Sequence, residues 1–175
     1  MMKNAVQRSE VPGGMKYVFS RFPENSADIK ALLEIYPQSD KYNTAALFLS
    51  CLVRYVENAD DGTSMIDALK GPQLLSTMDK MFLKDRFSDK KYLPRVYFEG
   101  ASPENNYTPE NPWTLIIYDD PAAPPQGYSY VNVKAPGEET PRRIVMRRKG
   151  DDHILWEYNG VLMSVRLPAE ADPWL

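Results

Sequence analysis

The chain has 175 residues, 43% of them hydrophobic and 26% charged, with a net charge of −3. This is the balance of an ordinary globular protein with one core, and it lacks the clustered Lys/Arg and high pI of a nucleic-acid binder. A single cysteine, Cys51, excludes an intramolecular disulfide and a Cys-based metal site.

No apolar run approaches the roughly 18 residues of a membrane span, and the first ten residues carry no apolar leader segment. The expectation is a cytoplasmic protein that binds neither membrane nor nucleic acid. Residues 1–14 end in Val11-Pro12-Gly13-Gly14 and show no apolar periodicity. They are expected to form a flexible N-terminal arm, followed by a single α+β domain over 15–175.

The first half of that domain, to about residue 93, reads as helical. Ser26 to Tyr36 has a cap at Asn25 or Ser26, and its apolar residues Ile29, Leu32, Leu33 and Tyr36 fall on one face. Asn43 to Asn58 carries a wide apolar face of Leu47, Phe48, Cys51, Leu52, Tyr55 and Val56, with Asp60-Asp61-Gly62 expected to end it. Within it, Cys51 reads as a buried and inert thiol. Thr63 or Ser64 is expected to cap a short helix from Met65 to Lys70, cut by Gly71-Pro72. Ser76-Thr77-Met78-Asp79 resembles a capping box and starts a helix to about Phe87, with Met78, Met81, Phe82 and Leu83 inward.

Between the halves lies the most informative stretch, residues 95–113. It is too rich in Pro and Asn for a helix or central strand, yet it contains Tyr97, Phe98, Tyr107 and Trp113. Disordered linkers are poor in aromatics, so this loop is expected to pack onto its own domain, where long loops often serve function. Tyr97, Phe98 and Trp113 are expected to be buried, and Glu104, Asn105 and Asn106 exposed near the tip.

The period then changes from helix to strand. Trp113 to Tyr118, Tyr128 to Lys134, Arg143 to Arg148 and Ile154 to Tyr158 are rich in β-branched and aromatic residues and bounded by turn residues. Lys149-Gly150-Asp151-Asp152 reads as a hairpin turn. The connections are too short for crossover helices, so an antiparallel meander of about four strands is predicted. N-terminal helices packed on a C-terminal antiparallel sheet is the α+β arrangement. The cone of the nuclear-transport-factor-like fold is the alternative.

Few residues suggest chemistry. His153 is the only histidine, which leaves no His-rich metal site or Ser–His pair of recognisable form. No Gly-rich phosphate loop is present. Glu99, Glu104 and Glu110 in the central loop are the carboxylates a hydrolase would use as acid and base. Asn105, Asn106, Tyr107 and Trp113 suit a sugar or peptide, although turn geometry and packing explain them equally. Arg142, Arg143, Arg147, Arg148 and Lys149 place five cations in eight residues. Strand alternation divides them between two faces, which disfavours a common anion patch. They are expected to be solvated, to pair with Glu138, Glu139, Asp151 and Asp152, or to guard a sheet edge.

The segment from Tyr97-Phe98-Glu99-Gly100-Ala101 through Pro103-Glu104-Asn105-Asn106-Tyr107-Thr108-Pro109 resembles the signature of an uncharacterised bacterial family, mostly from Firmicutes. Leu69-Lys70-Gly71-Pro72 with Leu75-Ser76 looks like one flanking motif of that family. The ending from Leu155-Trp156-Glu157-Tyr158 through Arg166-Leu167-Pro168 to Asp172-Pro173-Trp174 looks like another. The resemblance covers roughly residues 40 to 175. Its family is a domain of unknown function, so it implies no catalytic residue.

The reading that results is a non-catalytic binding or interaction module for a protein or small polar ligand, without metal or cofactor. Its candidate ligand-binding residues are Glu99, Glu104, Asn105, Asn106, Tyr107 and Trp113. A hydrolase using the loop carboxylates and a structural oligomer subunit are the alternatives.

Overall fold

The change of hydrophobic period near residue 94 is a change of layer. In the computed structural model, which describes residues 2–175, four helices lie in the first half: α1 Ser26–Ile35, α2 Lys41–Tyr55, α3 Ala59–Asp67 and α4 Thr77–Phe87. Six strands complete the fold: β1 Val6–Val11, β2 Gly14–Phe19, β3 Trp113–Asp119, β4 Tyr128–Val133, β5 Arg142–Lys149 and β6 Asp152–Glu157. They pair in chain order, each antiparallel to the next, as one open meander. The fold is α+β.

The sheet has two strands more than the sequence suggests, and both come from the N-terminus. Residues 6–11, expected to belong to a flexible arm, pair with β2 from Val6↔Phe19 to Val11↔Gly14 across a Pro12-Gly13 turn. The sequence of β1 hides this because an edge strand buries little along its length; Val6 is its one buried position. Other contacts fasten it. The Tyr36 hydroxyl donates to the Val6 carbonyl at 2.7 Å, Arg8 is ion-paired to Asp40, and Met2 and Ala5 enter the core. Gly14 permits the hairpin to approach β3, since a Cβ there would lie 2.2 Å from the Ile117 carbonyl oxygen.

The core forms around α2. Every residue from Asn43 to Val53 is buried, as in a helix that is enclosed rather than amphipathic. α2 runs against β3, β4 and β6 on one side and against α3 on the other. Its polar side chains are all committed. Asn43 accepts from the Tyr17 hydroxyl at 2.6 Å and donates to the Pro37 carbonyl at 3.0 Å, and Thr44 donates to the His153 carbonyl at 2.8 Å. Burial pushes the Tyr17 hydroxyl and the Cys51 thiol pKa values up.

Two helix expectations need correction. Asp60-Asp61-Gly62 does not end α2. Asn58 caps α3 by accepting from the Asp61 N–H at 3.0 Å, and the two aspartates occupy the first turn, where negative charge is favoured. Gly62 is the point where α3 crosses α2. A Cβ there would sit 2.5 Å from the Tyr55 Cα. In α4, the capping box at Ser76 and Asp79 forms as its spacing suggests, and Leu83 and Phe87 face inward. Met78 and Met81, however, are 80% and 66% exposed, because no element covers that side of the helix. None of the described helices is long and apolar enough to cross a membrane.

Candidate functional site

The central loop is built from backbone turns locked by side chains. A 3-10 turn over Leu93–Tyr97 opens it and a second over Pro103–Asn105 forms its tip. Asn105 is the hub. Its side-chain oxygen accepts from the Ser102 and Thr108 N–H groups at 2.9 and 3.0 Å. Its amide nitrogen donates to the Gly100 and Thr108 carbonyls at 2.8 and 3.1 Å. All four hydrogen-bonding positions of that amide are thereby used. Asn106 and Tyr107 both adopt positive φ, 58° and 52°. Arg95 stabilises this bend by donating to both their carbonyls, at 2.9 and 2.8 Å.

Aromatic side chains pin the loop to the domain. Tyr97 is buried, with its hydroxyl donating to the Val161 carbonyl at 2.6 Å. Phe98 is buried in a ring cluster with Phe19, Phe22 and Trp113. Trp113 is half-buried in that cluster rather than enclosed. Tyr107 is fully buried, stacked on Tyr92 with ring centroids 5.6 Å apart, and donates to the Arg166 carbonyl at 2.6 Å. Burial and the neighbouring Tyr92 push its hydroxyl pKa up to about 12.

These contacts separate the candidate residues. Asn105 and Tyr107 hold the loop's own shape, and Trp113 packs in the cluster. Asn106 is half-buried rather than exposed, because its side chain accepts from the Glu170 N–H at 2.8 Å and ties down the C-terminal segment. Glu104 is exposed at the tip and ion-paired to Arg166 at 3.1 Å. Its carboxyl pKa is held below the ordinary value, first by its own backbone N–H and also by Arg166. A general acid needs the opposite shift. Glu99 alone of the six lines a hollow, and its carboxylate makes no hydrogen bond or ion pair among the described residues.

That hollow arises from a split in the sheet. β3 and β4 pair only at Tyr118↔Asn132 and Asp119↔Val131, whereas β4 pairs with β5 along its whole length. Where β4 leaves, the loop takes its place beside β3. Phe98 bridges Leu115, the Glu99 N–H donates to the Thr114 carbonyl at 2.8 Å, and the Glu99 carbonyl accepts from Glu110 at 3.0 Å. A crevice of about 190 Å³ remains, lined by Phe98, Glu99, Ile116, Tyr118, Lys134 and Pro136 among others. The Lys134 ammonium sits 4.0 Å from the Tyr118 ring centroid. The Tyr118 hydroxyl pKa is raised by burial and then by the Glu99 carboxylate. Glu99 and Lys134 are more than ion-pair distance apart, so a carboxylate residue and an ammonium residue line one crevice without a direct contact.

Tyr118 and Lys134 line the candidate crevice, and the sequence alone does not single them out. They sit at the adjoining ends of two ordinary strands, and only the divergence of β3 from β4 brings them to the loop. His153, which carried no chemistry in the sequence, donates to or accepts from the Ser129 hydroxyl through Nδ1 at 2.7 Å. Among the described residues, no group of His, Cys, Asp or Glu comes together to hold a metal.

The fold and site define an α+β domain with an open antiparallel sheet and a crevice at its split. A family model, described as Domain of unknown function (DUF6935), matches residues 21–169, and the chain belongs to that family. No curated protein and no solved structure matches it significantly.

Proposed function

We propose that this chain is a non-catalytic binding module of a bacterial cytoplasmic protein, and that its ligand is a small polar molecule seated where β3 and β4 part. The observation that carries this reading is the pair of opposite charges, Glu99 and Lys134, that line a crevice of about 190 Å³ without forming an ion pair. Opposite charges held apart suit a dipolar ligand bearing both an ammonium and a carboxylate, such as an amino acid or a dipeptide. The Phe98, Ile116 and Tyr118 side chains supply the apolar contact. The loop's role is to hold Glu99 in place through its backbone pairing with β3. Support for binding over hydrolysis comes from the loop carboxylates themselves. Glu104 is engaged with Arg166, and Glu99 and Glu110 are exposed.

The test is a panel of amino acids and dipeptides titrated against isotope-labelled protein. Amide shifts confined to residues 97–101, 116–118 and 134–135, lost in both Glu99→Gln and Lys134→Gln, are expected. A panel that moves none of these resonances rejects the site. Turnover of a hydrolase substrate that Glu99→Gln abolishes would reject the non-catalytic reading.

A further inference from the structure

A second hollow, far from the central loop, has a different chemistry. The segment after α3 lies along the free edge of β6, where the Leu155 N–H donates to the Leu69 carbonyl at 3.0 Å. Beside this contact is a cavity of about 340 Å³. Four cations line it: Lys70, Arg147, Arg148 and Lys149. Ile154, Trp156 and Pro72 supply an apolar floor, Gln73 is the remaining polar group, and no carboxylate lines the hollow.

The β5 cations differ in what they contact. Of the five in the β5 segment, Arg143 donates to Asp120 at 2.7 Å, and Arg142 contacts Glu138 at 3.6 Å and the Gly160 carbonyl at 3.1 Å. Arg147, Arg148 and Lys149 make no side-chain hydrogen bond or ion pair among the described residues. Strand alternation divides this cluster as the sequence suggests: Arg147 and Lys149 lie on the face of β5 that carries Ile154 across the pair, whereas Arg148 lies opposite His153 on the other face. Arg147 is positioned by two rings, 4.8 Å from the Trp156 centroid and 5.7 Å from that of Tyr128.

Lys70 is the decisive residue. It is only 7% exposed, and its ammonium has no hydrogen-bond or ion-pair partner among the described residues. Burying an ammonium without a partner is costly. The two nearest acids are engaged elsewhere. Asp67 accepts from the Leu75 N–H at 2.8 Å, and Asp79 accepts from the Ser76 N–H at 2.8 Å in the capping box. They act on Lys70 only through space, and burial outweighs them in pulling its pKa down. Since no fully buried side-chain nitrogen among the described residues lacks a partner, the Lys70 ammonium retains access to solvent, and Lys70 lines this hollow.

We propose that this hollow is a binding site for a small organic phosphate with an apolar or aromatic body. The phosphate would be gripped by Lys70, Arg147 and Lys149, and the body would lie on Ile154 and Trp156. A phosphate fits better than a monocarboxylate. It offers more charge to the three cations and enough oxygens to reach several donors at once.

The test uses 1-naphthyl phosphate, 1-naphthoate, 1-naphthol and inorganic phosphate, titrated by calorimetry and by Trp156 fluorescence. The phosphate ester is expected to bind at least tenfold more tightly than the other three, with affinity falling as salt rises. Lys70→Met should leave the melting temperature unchanged or higher and weaken the ester at least tenfold. Lys149→Gln, at an exposed position, should weaken it several-fold and carries the test if Lys70→Met does not fold. Three results overturn the proposal: no binding at millimolar ester, equal binding of the naphthol or the naphthoate, or affinity unchanged in the variant that folds. The proposal does not depend on the crevice at Glu99 and Lys134, because Glu99→Gln is expected to leave naphthyl phosphate binding intact.

Discussion

Gly62→Ala is the substitution for which sequence and structure expect opposite signs. In the interior of a helix, replacing glycine by alanine ordinarily stabilises by up to about 1 kcal/mol, through helix propensity and reduced freedom of the unfolded chain. At position 62 the added methyl would lie 2.5 Å from the Tyr55 Cα, 2.6 Å from its Cβ and 2.9 Å from its N. Two of those are backbone atoms of the most buried helix and the third is the Cβ fixed to them, so no flexible side-chain end can move aside. Relief requires α3 to back away from α2 by about 1 Å, and a gap of that size forfeits up to half of each dispersion contact across the interface.

Overpacking of a tight core costs about 1–3 kcal/mol and more where backbone must shift. Taking the upper end and subtracting the propensity gain leaves a net loss of about 2 kcal/mol. For a chain of this size that lowers the melting temperature by about 4–8 °C. Urea unfolding followed by circular dichroism measures it, with Ser64→Ala on the exposed side of the same helix as the control. The control should be neutral or slightly stabilised. A Gly62→Ala protein as stable as the parent would refute the close helix crossing.

Deleting residues 1–11 removes β1 together with the buried Met2 and Val6. It should cost more than about 2 kcal/mol, given about 1.5–3 kcal/mol for each large apolar side chain enclosed; an unchanged urea midpoint would restore the flexible arm. Leu52→Ala, at a site 1% exposed in the centre of α2, should cost about 2–5 kcal/mol by denaturant titration. Tyr107→Phe should cost about 1 kcal/mol by leaving the Arg166 carbonyl without its donor, with hydrogen exchange rising across residues 164–171. His153 has its pKa held below its ordinary 6.5 by burial, Arg148 and Lys41 against Asp40 and Asp152. The unfolded chain therefore takes up that proton first, so the contribution is complete above pH 6.5 and lost as pH falls through the lowered value. In His153→Gln the stability curve should be flatter over that window, and an unaltered curve would show that His153 is not depressed.

What the sequence determined by itself is the part governed by local rules. Apolar spacing located α1 and α2, and the Ser76–Asp79 pair set the start of α4. β-branched runs between turn residues located β3 to β6, and the Gly150-Asp151 pair located the last hairpin. Aromatic content marked the central loop as packed. Tertiary structure decided what depends on partners distant in sequence. β1 is a strand because β2, Tyr36 and Asp40 receive it, and its own residues bear almost no apolar pattern. Gly62 is a helix contact because α2 passes beside it. Met78 and Met81 face outward because nothing covers that side of α4. The two candidate sites are tertiary in the same sense. Glu99 meets Lys134 only because β4 leaves β3, and Lys70 meets Arg147 only because the segment after α3 crosses the edge of β6. Periodicity reports which face of an element is buried, whereas a site is made where elements distant in the chain are brought together, and that geometry leaves no mark on local spacing.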